Sequence, residues 1–385
     1  MPYSQASAAT TSNPTSFPPL PLVAANVYIS EGRRPGVLDE IVRAIAGTGA
    51  VVTPTATPWR VGGGGGSRPH VRPSIAPSVA LLHAFPDAAY NRTGFTLVGM
   101  VGDSQASNSS STRSRSSSAC GLTAAIVAAA QAGLAHVDLA ALRGHGGGDH
   151  PTLGIVDHIA VHPLGGAGSS LGDAVCVARA VAAALGAPGP ASVPAFLYGA
   201  AAVDPAHSSL AALRRALGYF RPPLAPGGAG GGGGGDESGF PAPDFGPAPG
   251  CSSTAAVAAR GRVAVGATPW VLNWNVPLGG CDEAAASAIA RTISSRGGGA
   301  LPGVEALALR HEEEEAGSGG SAFAWEVATN LRDPGASPPA AVEALIAAVA
   351  ARLGGGKVVV GAGYSTGRDP EVLAEAARQA LVVGG

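Results

Sequence analysis

Between Leu22 and Leu381 short β-branched runs alternate with longer segments whose apolar residues recur every three or four positions, and this alternation most narrows the folds open to the chain. Leu22 to Ile29 reads as a strand. Gly36 to Ala46 reads as a helix, with Val37, Leu38, Ile41, Val42 and Ile45 on one face. Strands are expected at Val79 to His83, Thr93 to Val101, Ile155 to Val161, Val193 to Tyr198, Trp270 to Val276, Val304 to Leu309, Ala322 to Leu331 and Lys357 to Val360. Helices are expected at Cys120 to Leu134, Leu171 to Leu185, Asp282 to Ser295, Ala340 to Leu353 and Pro370 to Leu381. The fold class is α/β (α+β), with mixed sheets covered by helices.

The rest of the chain is punctuation. Of 385 residues, 58 are Gly and 32 are Pro, far above ordinary usage, while 46% are apolar, too many for a disordered chain. The excess collects in Gly62 to Ser67, Asp103 to Ser118, Pro222 to Gly239 and Glu312 to Ser321, which read as loops. Residues 1–21 read as a disordered leader rich in Ser, Thr and Pro, without the basic and apolar regions of a secretory signal. With 24 Lys+Arg against 26 Asp+Glu no basic field exists to hold nucleic acid or an acidic membrane surface. Four cysteines without a C-x-x-C suggest a reducing compartment, so a cytoplasmic location is expected, with organellar import left open.

Five of the nine histidines fall between His136 and His162. His158 and His162 share a strand face but stand about 13 Å apart at ~3.3 Å per residue, too far to hold one ion. A loop site from His145, Asp149 and His150 lacks a second ligand pair, and no metal is expected. His150 precedes Pro151, which pushes its backbone toward the extended region and fixes the direction of the imidazole. An imidazole so held suits acid and base catalysis near neutral pH; a simple turn with a solvated ring would carry the same dipeptide. Gly363 to Gly367 matches the G-x-S-x-G nucleophile elbow with Ser365, but no histidine follows it to complete a serine hydrolase triad. Leu353 to Val358 has the glycines and lysine of a phosphate loop but leaves a helix to open a strand, the reverse order.

Seven segments in chain order carry a resemblance. They are Asn26 to Gly32, Asn91-Arg92-Thr93, Asp149-His150-Pro151 with Leu153-Gly154, Phe196 to Ala201, Pro243 to Pro247, Val265-Gly266-Ala267 with Trp270 to Leu278, and Thr329-Asn330-Leu331. Together they resemble the formiminotransferase domain, the transferase half of formimidoyltransferase-cyclodeaminase. Asp157-His158-Ile159, His162-Pro163-Leu164, Leu217 to Phe220 and Arg296 to Gly299 are most similar to its stand-alone, plant-type members, so no cyclodeaminase half is expected.

The resemblance implies two subdomains, 22–267 and 268–385, whose mixed sheets face each other with helices outside and a folate tunnel between. The tracts 61–78, 102–118 and 222–240 become insertions in the first. It implies transfer of a formimino group from N-formimino-L-glutamate, or a related formimino amino acid, to N5 of tetrahydrofolate as co-substrate, a step of one-carbon metabolism and histidine degradation. His150 takes the catalytic position and Asp87 is set against the family's aspartate. Asn91, Arg92, Asp149, Tyr198, Asp244, Phe245, Gly246, Pro247, Ala248 and Asn275 are the expected folate and substrate contacts. Thr152 and Thr268 stand where the family has arginines, which makes a folate-binding protein without transfer the alternative. Monomer and homodimer both remain open.

Overall fold

The structure is a computed structural model that describes residues 21–60, 77–101, 115–139, 141, 150–165, 169–219, 241–247, 259–295, 298–299, 301–311, 323–353 and 357–382. Within these, two sheets and seven helices form an α+β architecture. In chain order the first sheet takes β1 (Leu22–Ile29), β2 (Val51–Val52), β3 (Val79–Asp87), β4 (Arg92–Met100), β5 (Val156–Pro163), β6 (Ala195–Gly199) and β7 (Val263–Ala267). Their spatial order is β2-β3-β4-β1-β5-β7-β6. The pairs β1·β4, β1·β5 and β3·β4 run antiparallel, and β2·β3, β5·β7 and β6·β7 parallel.

The second sheet has β8 (Leu272–Gly279), β9 (Val304–Arg310), β10 (Trp325–Leu331), β11 (Val359–Val360) and β12 (Tyr364–Ser365). Every pairing in it is antiparallel, so the expectation of mixed sheets holds for the first sheet only. The helices are α1 (Pro35–Gly47), α2 (Arg115–His136), α3 (Leu171–Gly186), α4 (Leu210–Ala216), α5 (Glu283–Ile293), α6 (Pro339–Leu353) and α7 (Pro370–Val382). Helix α2 starts inside the serine-rich tract, which is therefore not loop throughout. Among the described residues no helix is long and apolar enough to cross a membrane.

Alternation along β1 explains the layering. Val23, Ala25, Val27 and Ile29 point to one face and pack with α1, α2 and α3 in the main core. On the opposite face Leu22 and Ala24 pack with α7, whose Leu373, Ala374, Ala377 and Leu381 are buried there. The same face then turns polar at Asn26 and Tyr28. At the other end of the sheet, Phe196, Tyr198 and Ala264 are covered by Leu213 of α4. Two helices, α4 and α7, thus lie on the inner face, where the sequence placed all helices outside. The second sheet buries Val276, Leu278, Val304, Val327 and Leu331 against α5 and α6, and β8 meets β1 where the Tyr28 hydroxyl donates to Asn273 Oδ1 at 3.2 Å.

Candidate active site between the two sheets

The polar half of the inner face borders a cavity of about 210 Å³, lined among others by Tyr28, Asp87, Tyr90, Arg92, His150, His158, Arg214, Tyr219, Asn273, Asn275 and Asn330. One irregularity in strand pairing builds its charged wall. Tyr28 pairs with His158, but Ile29 pairs with Val156, so Asp157 is an extra residue in the β1·β5 ladder. Such a bulge re-aims a side chain that regular alternation would send to the other face. Asp157 is fully buried, and its Oδ2 accepts from Arg92 Nη2 and Arg214 Nη2 at 2.5 Å each. Burial would raise the carboxyl, but Arg214 and Arg92 outweigh it and hold the group well below the usual range.

Two imidazoles lie against the same guanidinium. Arg92 Nη1 lies 2.9 Å and 3.1 Å from the two ring nitrogens of His150, and Arg92 Nη2 lies 3.1 Å from His158 Nδ1. A carbonyl and a carboxylate can only accept, so we assign the proton of each ring to Nδ1, which leaves the contacts of Arg92 and Arg214 with His158 Nδ1 as close approaches rather than hydrogen bonds. His150 Nδ1–H donates to Pro151 O at 2.7 Å, and His158 Nδ1–H donates to Asp157 Oδ2 at 2.9 Å. Each ring keeps Nε2 as its basic nitrogen. Burial and then Arg92 push His150 well below the ordinary histidine value. Burial and then Arg214 push His158 down to about 3, although Asp157 opposes them. Both are neutral at pH 7.

Aromatic rings fix these groups in place. Tyr28 stacks on His158 with centroids 4.2 Å apart, Tyr219 lies 4.3 Å from the Arg214 guanidinium carbon, and Tyr90 meets His150 edge-on at 5.1 Å. Across the cavity, buried Glu326 of β10 accepts from Tyr90 at 2.5 Å, Asn275 at 2.7 Å and Tyr364 at 2.7 Å. The Tyr90 bond ties the first sheet to the second. Burial pushes the Glu326 carboxyl up, against the pull of the two tyrosine hydroxyls.

Of the residues singled out from sequence, His150, Arg92, Asp87 and Asn275 meet at this cavity. Asp87 does not bond His150: Oδ1 takes the Tyr90 N–H at 2.9 Å, Oδ2 lies 3.5 Å from His311 Nε2, and the Tyr90 ring contacts both histidines. Asn91 serves the turn instead. Its φ is 47° and its Oδ1 accepts the Gly32 N–H at 2.9 Å. Tyr198 is buried against α4 and does not line the cavity.

Asp244 is spent on the Leu197 N–H at 2.8 Å, Phe245 packs on the main core outside the sheet, and Gly246 and Pro247 line a separate concavity. That segment is thereby removed from the cavity wall, because Asp244 pins it to the edge of β6. Asp149, Ala248 and His145 lie outside the described residues, as do Gly62 to Ser67, Pro222 to Gly239, Arg143 to Gly148 and, apart from Pro21, the leader. No group of three or more metal-ligating side chains occurs among the described residues.

Thr152 turns to Gly154 O and Ser30, and Thr268 stands by His162, so neither threonine lines the cavity. Ser365 belongs to the short strand β12, and its hydroxyl donates to Asn273 O at 3.1 Å. No histidine bonds it among the described residues. The elbow geometry required of a hydrolase serine is not formed.

Sequence reasoning missed Arg214, because α4 is only seven residues long, and it missed the inward turn of Asp157, because a bulge leaves no mark in composition. A cap was legible in retrospect: Ser209 accepts the Ala212 N–H ahead of Leu210 and Leu213.

Residues 22–268 match the family model described as the formiminotransferase domain, N-terminal subdomain. A formiminotransferase cyclodeaminase-like protein of Arabidopsis thaliana is 34% identical over 355 residues, covering 92% of this chain and 95% of that protein.

Proposed function

The chain belongs to the formiminotransferase domain family, and on that premise we propose that it transfers a formimino group from N-formimino-L-glutamate, or a related formimino amino acid, to N5 of tetrahydrofolate. In this reaction the N5–carbon bond forms, the bond from that carbon to the donor nitrogen breaks, and a proton must leave one nitrogen and reach the other. His150 Nε2 takes the proton shed by the attacking nitrogen and returns one to the departing nitrogen. Neutrality at pH 7 leaves it ready to accept. Tyr28, Tyr90 and Tyr219 offer flat faces, and Asn273, Asn275 and Asn330 offer amide donors and acceptors, a set that suits the rings and polar edge of a reduced pterin.

The observation that carries this reading is the placement of His150 on the cavity wall, with Nδ1 tied to Pro151 O and Nε2 left basic. Arg92, which covers Nε2 at 3.1 Å, must shift its hydrogen bond for the imidazole to act. That contact favours the second reading, folate binding without transfer. Titration with 5-formyltetrahydrofolate, beside an assay for glutamate release from formiminoglutamate, separates the two: binding without release selects the second. His150→Ala is expected to lower turnover ~10²- to 10⁴-fold, about 3 to 5 kcal/mol of barrier, with folate binding kept. Wild-type turnover in the variant would remove His150 from the mechanism.

A further inference from the structure

Two guanidiniums face the cavity and share one carboxylate oxygen. Oδ1 of Asp157 is already committed to the Leu153 N–H at 2.7 Å and the Thr152 hydroxyl at 3.3 Å. Oδ2 alone receives Arg92 and Arg214, with His158 as a third donor. Among the described residues neither arginine pairs with any other carboxylate. Among the described residues, therefore, two guanidiniums have one carboxylate in direct contact between them, on side chains only 12% and 13% exposed, although Asp87 and Glu305 line the same cavity. Burying a charge without a partner is costly, so a guanidinium that shares its one carboxylate marks a place where a counter-charge arrives from outside.

The two arginines differ in what they have left to give. Arg92 spends its second terminal nitrogen on His150 Nε2. Arg214 donates to Asp157 through Nη2, with His158 Nδ1 in contact at 3.2 Å, and among the described residues nothing accepts from its Nη1; the Nε of both arginines is buried without an acceptor. Its plane is held by Tyr219 beneath it. A planar fork, fixed in orientation and half engaged at a cavity wall, matches the geometry of a carboxylate.

We propose that Arg214 receives a carboxylate of the substrate and is the residue that selects for an anionic donor. On the reading of the cavity as the transfer site, this carboxylate belongs to the formimino amino acid. Arg214 thereby supplies a positive charge to the cavity that Thr152 and Thr268 do not.

Titration calorimetry with glutarate and with its uncharged diamide tests this without reliance on turnover. Wild-type protein is expected to prefer glutarate by about 10- to 100-fold, Arg214→Gln to lose that preference, and Arg214→Lys to keep part of it. Thermal melting supplies the control. If Arg214 is surplus charge awaiting a ligand, Arg214→Gln keeps its melting temperature, because Asp157 still holds Arg92. Equal affinity of the wild type for both probes, including no binding of either, overturns the anion site. A retained preference in Arg214→Gln overturns the assignment to Arg214, and a collapsed fold in that variant assigns the arginine to structure instead. Glutamate release from formiminoglutamate is read separately, so failure of transfer and failure of the anion site are distinct results.

Discussion

Asp157 anchors the charged wall, and its energetics follow from what surrounds it. Its carboxylate is fully buried, depressed by Arg214 and Arg92, and surrounded by five donors. Replacing one partner of a buried ion pair leaves the other charge stranded, which costs about 3 to 5 kcal/mol. Asp157→Asn strands two guanidiniums. Urea denaturation should show a loss of that size, and adding Arg214→Gln should recover part of it by removing one of the repelling charges. A single variant within about 1 kcal/mol of wild type would end the anchor role. His150 and Arg92, both singled out from the sequence, line the cavity. The sequence gives no reason to expect that they bond each other, nor that Asp87 turns to Tyr90 and His311, because His150 and His311 reach the site from loops far along the chain.

At the scale of elements, periodicity located the long ones well. The strand expected at Leu22 to Ile29 spans those residues in the structure, and the helix expected at Gly36 to Ala46 runs Pro35–Gly47. Elements too short to show a period, α4, β2 and β12, were not legible, and α4 brings in Arg214. Close approach of backbone segments also decides the site. A Cβ on Gly32 would sit 2.3 Å from Asp87 O and 2.7 Å from Arg92 N, so the loop after β1 fits against the β3–β4 hairpin only without a side chain. Gly32→Ala is expected to lower stability by about 1 to 3 kcal/mol and to move Arg92 off its partners. A melting curve and turnover measured together check this: normal stability with normal turnover would show that the hairpin can yield.

For the whole molecule, pH reports on the interior between the sheets. His158 and His162 titrate in the folded protein at about 3 and about 4, both pushed down first by burial. The unfolded chain takes up these protons near pH 6.5, whereas the folded chain does not, so stability is full above pH 7 and falls as the solution is acidified. Each group contributes about 2 kcal/mol of loss between pH 7 and pH 5, and His150 acts in the same direction. Asp157 has the opposite linkage, stabilising above its unfolded value near 4, and so adds nothing in this window. Denaturation at the two pH values should therefore show a marked acid weakening, smaller by about one proton's worth in His162→Gln; an unchanged difference would mean that His162 is protonated in the fold. By itself the sequence determined the α+β class, the long strands and helices, the family and the neighbourhood of His150, because these rest on local periodicity and on motifs that survive in chain order. Tertiary structure alone decided which arginine completes the charged wall and which motif residues leave the site. A strand bulge, a seven-residue helix and a pinned loop are set by contacts between distant segments, and no window of neighbouring residues encodes those contacts.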